Sequence, residues 1–169
     1  MNQTATDKKI ESALSEAQMR SLLFTRPGFL IRRLHQIHTG LFTEETAQFN
    51  ITPVQYSLLS ALSDHGEIDQ NSLALEIGLE RTSVAEVLPR LESRELISRR
   101  QSEEDRRVKL VKLTRQGKAL LKRMEVPAQR AHDRTIAHLS DTEKNSFMLS
   151  MIRLIEKNND HSLAPLRLK

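Results

Sequence analysis

The sequence predicts a mainly α fold carrying one small β-hairpin. Apolar residues recur at helical spacing over most of the chain, and capping signals at Thr52, Asp69, Thr114 and Ser140 precede the helical runs. Only residues 96–100 and 109–113 read as strands, separated by a polar, charged loop.

Residues 1–21 are polar and then weakly helical, with Ile10, Leu14 and Met19, and read as a tail leading into a short helix. Pro27 suits the first turn of a new helix, where its missing N–H costs nothing. That helix, about 27–48, carries Leu30, Leu34, Ile37 and Leu41 on one stripe, widened by Phe29 and Phe42. A helix this long at the edge of a small domain suits packing against a partner chain.

Ile51-Thr52-Pro53-Val54-Gln55-Tyr56 combines an N-cap, a proline at the first helical position and a capping box closed by Gln55, with Ile51 placed to staple onto Tyr56. Leu58, Leu59 and Leu62 follow, and Gly66 suits the C-terminal cap. Asp69 caps a short helix with Leu73, Ala74 and Ile77, which Gly78 ends. A second helix over 81–94 has Val84, Val87, Leu88 and Leu91 at i, i+3, i+4 and i+7. Two short helices joined by a tight turn containing glycine match a helix-turn-helix, a pattern that plain αα-corners share. The hairpin that follows at once points to a winged helix with residues 101–107 as the wing tip; the alternative, a hairpin that merely covers the core, fits the arginines at its tip less well.

Thr114 caps the next helix, which runs on through Leu120, Leu121, Met124 and Val126, with a kink expected at Pro127. Ser140-Asp141-Thr142-Glu143 is a second capping box. It opens a final helix with Phe147, Met148, Met151, Ile152 and Ile155. The organisation expected is therefore a polar tail (1–21), an N-terminal dimerisation helix region (22–50), a winged helix-turn-helix (51–113), C-terminal dimerisation helices (114–157) and a frayed tail (158–169).

Composition narrows the function. The absence of cysteine removes disulfides, thiolate metal sites, cysteine nucleophiles and thiol-based redox sensing. No apolar run approaches the ~20 residues that span a bilayer, and the first 15 residues lack a signal-peptide core. The expectation is a cytoplasmic protein with no membrane partner. Aromatic residues make up only 4% and tryptophan is absent, which disfavours a stacking platform for single strands. No glycine-rich phosphate loop, nucleophile elbow or H-E-x-x-H is present, so no enzyme and no cofactor is expected. Residues 80–123 hold 13 Lys/Arg and 7 Asp/Glu, a net of +6, whereas the whole chain carries +4. Such a localised excess suits either a polyanion-binding face or an ordinary solvated helix surface.

The stretches LALEIGLERTSVAEVLPRLESRELISRR and EEDRRVKLVKLTRQGKALL, with ITPVQYSLLSAL upstream, resemble the multiple antibiotic resistance regulator (MarR) family of bacterial winged-helix proteins. The family's wing signature is an Asp followed within two residues by Arg, ahead of a strand ending in Leu-Thr. It appears here as Asp105-Arg106-Arg107 and Leu113-Thr114. The resemblance covers about residues 27–157. It implies a homodimer with intertwined terminal helices, whose two winged domains straddle a palindromic operator in double-stranded DNA. Many members are repressors released by a small, often aromatic, acidic ligand.

On a helical wheel of 81–94, Thr82, Glu86, Pro89 and Ser93 point away from the apolar face, flanked by Ser83, Ala85 and Arg90. Thr82 and Ser83 suit a phosphate or a base edge, Arg90 a phosphate or guanine, and Glu86 a cytosine amine. Glu86 reads equally as a solvent-facing residue that trims non-specific affinity. Arg81 completes this set at the first turn. Pro89 removes one helical N–H and is expected to kink the helix. In the wing, Arg106 or Arg107 can enter a narrow minor groove, where negative potential concentrates. Asp105 would hold an arginine by a charge-assisted bond. The resemblance favours Arg107 for the groove.

Residues 26–38 place cations beside apolar groups. Phe29, Arg32, Arg33, His35, His38 and Tyr56 are candidate effector residues, with cations for a carboxylate and rings for an aromatic body. The alternative is that Arg32 and Arg33 are solvated and that His35 and His38 lie in a dimer interface. The segment resembles the subgroup of the family that senses aromatic acids or their CoA thioesters. His35 and His38 have metal-compatible spacing, but no carboxylate or cysteine nearby in sequence completes a site, so no metal is expected. The competing reading is a non-specific architectural nucleic-acid-binding dimer.

Overall fold

The computed structural model describes residues 3–167. Ten elements carry the fold: α1 (Gln3–Arg20), α2 (Pro27–Glu45), α3 (Pro53–His65), β1 (Ile68–Asp69), α4 (Gln70–Ile77), α5 (Arg81–Ser93), β2 (Ile97–Gln101), β3 (Lys109–Leu113), α6 (Arg115–Thr135) and α7 (Asp141–Asn158). The strands form one antiparallel sheet in the order β1-β3-β2, with Ile97 opposite Leu113 and Gln101 opposite Lys109. The mainly α chain with a β-hairpin wing is thus present. The two-residue β1, pairing Ile68 with Val111, is an addition the sequence did not signal, being too short to show alternation.

The caps form as their chemistry dictates. Thr52 and Gln55 make a reciprocal capping box, at 3.2 Å to the Gln55 N–H and 3.0 Å from the Thr52 N–H. Asp69 accepts from the N–H groups of Asn71 and Ser72 at 3.0 and 2.9 Å. Gly78 closes α4 in the left-handed region at φ 62°. Glu143 accepts from the Ser140 N–H at 2.8 Å. The core joins Phe42 of α2, Leu58, Leu59 and Leu62 of α3, Leu73 of α4, Val84, Leu88 and Leu91 of α5, Ile97 and Val111 of the sheet, and Met124, Ala128 and Ala131 of α6. The α2–α6 seam is sealed at its rim, where Glu45 accepts from Arg130 at 2.8 Å and from Arg134 at 2.7 Å. The bonds from Arg130, and then from Arg134, hold the Glu45 carboxyl below its ordinary pKa.

Several expectations need correction. The presumed N-terminal tail is an 18-residue helix from Gln3, although residues 1 and 2 lie outside the described part. Its Ile10 and Leu14 are exposed, so tertiary burial does not explain it. Helix α2 ends at Glu45, and 47–49 form a 3-10 turn. Of its predicted stripe, Leu30 and Ile37 are exposed, and Phe42 is the residue that enters the core. Pro89 and Pro127 both lie inside uninterrupted helices, with Pro89 on the solvent face of α5 and Pro127 buried in α6. Val126 is exposed. The tail expected to fray is ordered at least to Arg167, whose N–H donates to the Leu75 carbonyl at 3.1 Å; residues 168 and 169 lie outside the described part.

Candidate nucleic-acid interface and adjoining cleft

Helix α5 is amphipathic as its spacing demands. Val84, Leu88 and Leu91 are fully buried, while Arg81, Thr82, Ser83, Glu86, Pro89 and Arg90 are exposed on the other side. Because Pro89 has no N–H, the Ala85 carbonyl one turn earlier loses its helical donor, and water or a ligand can use it. Two arginines outside the predicted set fix the helix in place. Arg94 donates to the carbonyls of Asn50 and Phe49 at 2.6 and 2.9 Å, and Arg99 of β2 donates through Nε to Glu92 at 2.9 Å. The second of these ties the end of α5 to the first wing strand.

The wing tip is built around one carboxylate. Asp105 Oδ1 accepts from the Arg107 backbone N–H at 2.9 Å and from its Nε at 3.1 Å, and Oδ2 accepts from Nη2 at 3.0 Å. The Val108 N–H donates to the Asp105 carbonyl at 2.9 Å, closing the turn. The Arg107 side chain is 90% exposed, so its direction is set by Asp105 and not by packing. The same contact holds the Asp105 carboxyl below its usual range and raises Arg107. Arg106 is exposed beside it. At the base of the wing, Glu67 accepts from Arg100 at 3.0 and 2.5 Å and lies 3.7 Å from Lys112. Part of the positive excess in 80–123 therefore braces the wing internally. Arg81, Arg90, Arg106 and Arg107 are exposed on the surface of α5 and the wing.

Behind this unit, α2, α3, α4 and α6, together with Leu166 beyond α7, line an open cleft of about 420 Å³. The candidate effector residues do not stay together. His38 and Tyr56 line the cleft, but Phe29, Arg32, Arg33 and His35 do not. The Arg32 guanidinium sits 5.4 Å from the Phe29 ring centre, and Arg33 donates to Gln36 at 2.9 Å. The sequence cluster was contiguous, but the helix turns its members onto different faces. In their place the cleft gains Phe42, Ser57, Ser60, Asp64, His132 and the His65–Glu76 pair at 3.1 Å. Ser57 and Ser60 lie on the face of α3 that Tyr56 already marked; His132 arrives from α6 and had no signal near His38 in sequence.

His38 and His132 stack with ring centres 4.9 Å apart, and His38 Nδ1 lies 2.9 Å from the Thr135 hydroxyl. Burial, followed by the neighbouring His132 and His35, pushes the His38 pKa down. The native state then binds fewer protons than the unfolded chain below the ordinary histidine value of about 6.5. Stability should fall as pH drops from about 6.5 toward the depressed value, and be regained above it. Thermal melts at pH 7 and pH 5 should show the fall in wild type and a smaller one in His38→Gln. An equal fall in both would remove His38 as the cause. Among the described residues, no group of three or more His, Asp or Glu is placed to hold a metal, and no helix is long and apolar enough to cross a membrane.

A helix-turn-helix followed by an arginine-tipped hairpin defines a winged-helix DNA-binding protein. Residues 51–109 match the MarR family model. The transcriptional repressor NicR of Pseudomonas putida is 28% identical over 133 residues, covering 79% of this chain and 84% of that protein. The structure of the PcaV transcriptional regulator from Streptomyces coelicolor with its natural ligand superposes with a TM-score of 0.72 at 31% identity, covering 79% of this chain and 94% of that one. The repressor CouR, bound to a 23-mer DNA duplex, gives 0.71 at 28% identity, with the same coverage. The chain belongs to the MarR family of transcriptional regulators, which are not enzymes.

Proposed function

We propose that this regulator is a homodimeric repressor that binds a palindromic operator and is released by a small aromatic acid. The observation that carries the DNA part is the solvent-facing side of α5 flanked by a wing whose Arg107 is held in direction by Asp105. In this reading α5 enters the major groove with Arg81, Thr82, Ser83, Glu86 and Arg90, and the wing places Arg107, with Arg106 beside it, in the minor groove.

Two flanking regions support dimerisation. Helices α1 and α2 expose Ile10, Leu14, Leu30, Ile31 and Ile37, and α7 exposes Met148, Leu149, Ile152, Leu154 and Ile155. None of α7 is buried within its own chain. Apolar area on this scale marks an interface, and a second copy covering both ends makes 22–50 and 114–157 dimerisation regions around a winged unit at 51–113. A two-fold dimer sets its recognition helices about one helical turn apart, ~34–36 Å.

The effector reading rests on the cleft. Phe42 and Tyr56, with ring centres 5.4 Å apart, offer an aromatic wall, while Ser57, Ser60, His38 and His132 offer donors to a carboxylate. Relatives solved with a natural ligand or described as repressors support the same reading. A compact aromatic carboxylate fits this volume; in a CoA thioester only the acyl part would enter.

The test is a binding titration at fixed salt with a palindromic promoter fragment against bulk DNA, followed by addition of benzoates, hydroxycinnamates and indole-acetate type acids. Sequence-selective binding by a dimer and release by at least one acid are expected. Binding indifferent to sequence would instead mean an architectural dimer. Failure of every acid both to release DNA and to shift thermal unfolding would discard the effector class.

A further inference from the structure

The chain after α7 turns back onto the DNA-reading unit. A 3-10 turn over Asn159–His161 reverses its direction. The Asn159 side chain then clamps Leu166 both ways, accepting from its N–H at 2.9 Å and donating to its carbonyl at 3.0 Å. The Arg167 N–H donates to Leu75, one of the last α4 carbonyls, which the helix itself leaves without a partner. Leu166 lies over the turn of the helix-turn-helix, where a Cβ on Gly78 would come within 3.1 Å of its Cδ2. Leu163, Ala164 and Pro165 share a shallow cavity of about 380 Å³ with Asn71, Arg81 and Thr82. The strap therefore borders the N-terminal ends of both α4 and α5.

We propose that this strap enlarges the DNA-binding surface by fixing Arg167 beside the N-terminus of α4 as an additional phosphate-contacting residue. The inference rests on the DNA-binding reading above. In a helix-turn-helix the first helix crosses the DNA backbone, and α4 is that helix. Arg167 is exposed, and its Nη2 reaches the Ser72 hydroxyl at 3.3 Å, a long bond. Its charge adds to the Ser72 and Asn71 hydrogen bonds that, against burial, hold the Asp69 carboxyl below its ordinary pKa, so the guanidinium already stands at the capped N-terminus of α4. Its backbone is pinned by two independent contacts, to Leu75 directly and through the Asn159 clamp on Leu166. Less chain entropy is then lost on binding than for an arginine on a free tail. A planar guanidinium also suits phosphate oxygens better than a lysine does.

The test measures Arg167→Gln, Asn159→Ala, their combination, Lys8→Gln and Arg107→Ala against wild type on one operator over a salt series. Arg167→Gln should weaken binding roughly threefold to tenfold on every sequence, and make the salt dependence shallower by about 0.9 for each arginine that reaches a phosphate. It should leave thermal unfolding unchanged. Asn159→Ala should weaken binding in the same direction, with no further loss when added to Arg167→Gln. Lys8→Gln, which removes the same charge from the exposed face of α1, should leave the slope as it was; an equal effect would reduce the result to net charge and overturn the proposal. Wild-type affinity and slope in Arg167→Gln, alongside a clear loss in Arg107→Ala, would overturn the strap contact and leave DNA binding intact. Tighter binding by Arg167→Gln would overturn it too, making the strap a cover over the reader. If wild type binds no duplex at all, the underlying reading falls first.

Discussion

Replacing Gly117 by alanine should destabilise the protein by at least about 2 kcal/mol, against the direction that helix propensity predicts. Gly117 lies in the first turn of α6, where alanine is favoured over glycine by about 1 kcal/mol in an ordinary helix. Here a Cβ would sit 2.0 Å from the Leu96 carbonyl oxygen, 2.9 Å from its carbon and 3.2 Å from Leu113 Cδ2. The first two are backbone atoms, so no side chain can swing aside. The neighbourhood is also tied down. Thr114 accepts from the Gly117 N–H at 3.0 Å, donates to the Glu95 carbonyl at 2.6 Å, and its own N–H donates to Leu96 at 3.1 Å. Leu96 in turn donates to Leu91 at the end of α5. Relieving the overlap means lifting α6 off the junction that joins the recognition helix to the wing, and overpacking of this kind costs about 1–3 kcal/mol or more. Thermal unfolding followed by circular dichroism should show a fall of roughly 2–4 °C per kcal/mol for a chain of this length. The exposed neighbour Lys118→Ala serves as a control. A melting temperature equal to or above wild type would show that α6 is not docked this closely.

That junction also shows where sequence reading reaches its limit. Caps at Thr52, Asp69, Thr114 and Ser140, and the four-residue apolar stripe of α5, were legible because each is decided within one turn of chain. The wing was legible because its turn is organised by residues two apart, Asp105 and Arg107. Gly117 could be seen as part of a motif, but its reason lies 21 positions away at Leu96. The cleft was half legible: Tyr56 and His38 belong to it, whereas His132 meets His38 only through the packing of α2 on α6. Arg32, Arg33 and His35 stood beside His38 in sequence, yet the helical turn leaves them outside the cleft that His38 lines. The C-terminal strap could not be foreseen at all. Its residues are ordinary for a loose tail, and what orders them is a carbonyl of α4 and a glycine turn about 90 residues earlier. Helix α1 was read only as a short helix behind a tail, for the opposite reason: it is long, but its Ile10, Leu14 and Met19 are exposed in their own chain, and so little periodic pattern marks its full length.

Arg107→Ala should weaken operator binding by about 1–3 kcal/mol for each wing engaged, and by about twice that when a dimer seats both. The side chain stands in solvent, and among its contacts are the two bonds to Asp105 that aim it. Removing it should cost the fold little. It should cost the complex the groove contact, and Asp105 would then face DNA as an unpaired anion. The second effect can be separated. Asp105→Ala leaves the cation but frees its direction, so it should weaken binding less than Arg107→Ala and blur discrimination between operator and bulk DNA. If Asp105 acts only by aiming Arg107, the penalty of Asp105→Ala vanishes once Arg107 is alanine, and the double variant binds as well as or slightly better than Arg107→Ala alone. Mobility-shift titrations of the three variants at one salt concentration give the complete cycle. Unchanged affinity in Arg107→Ala would remove the wing from the reading. A strictly additive double variant, weaker than Arg107→Ala alone, would mean that Asp105 supports DNA binding on its own account.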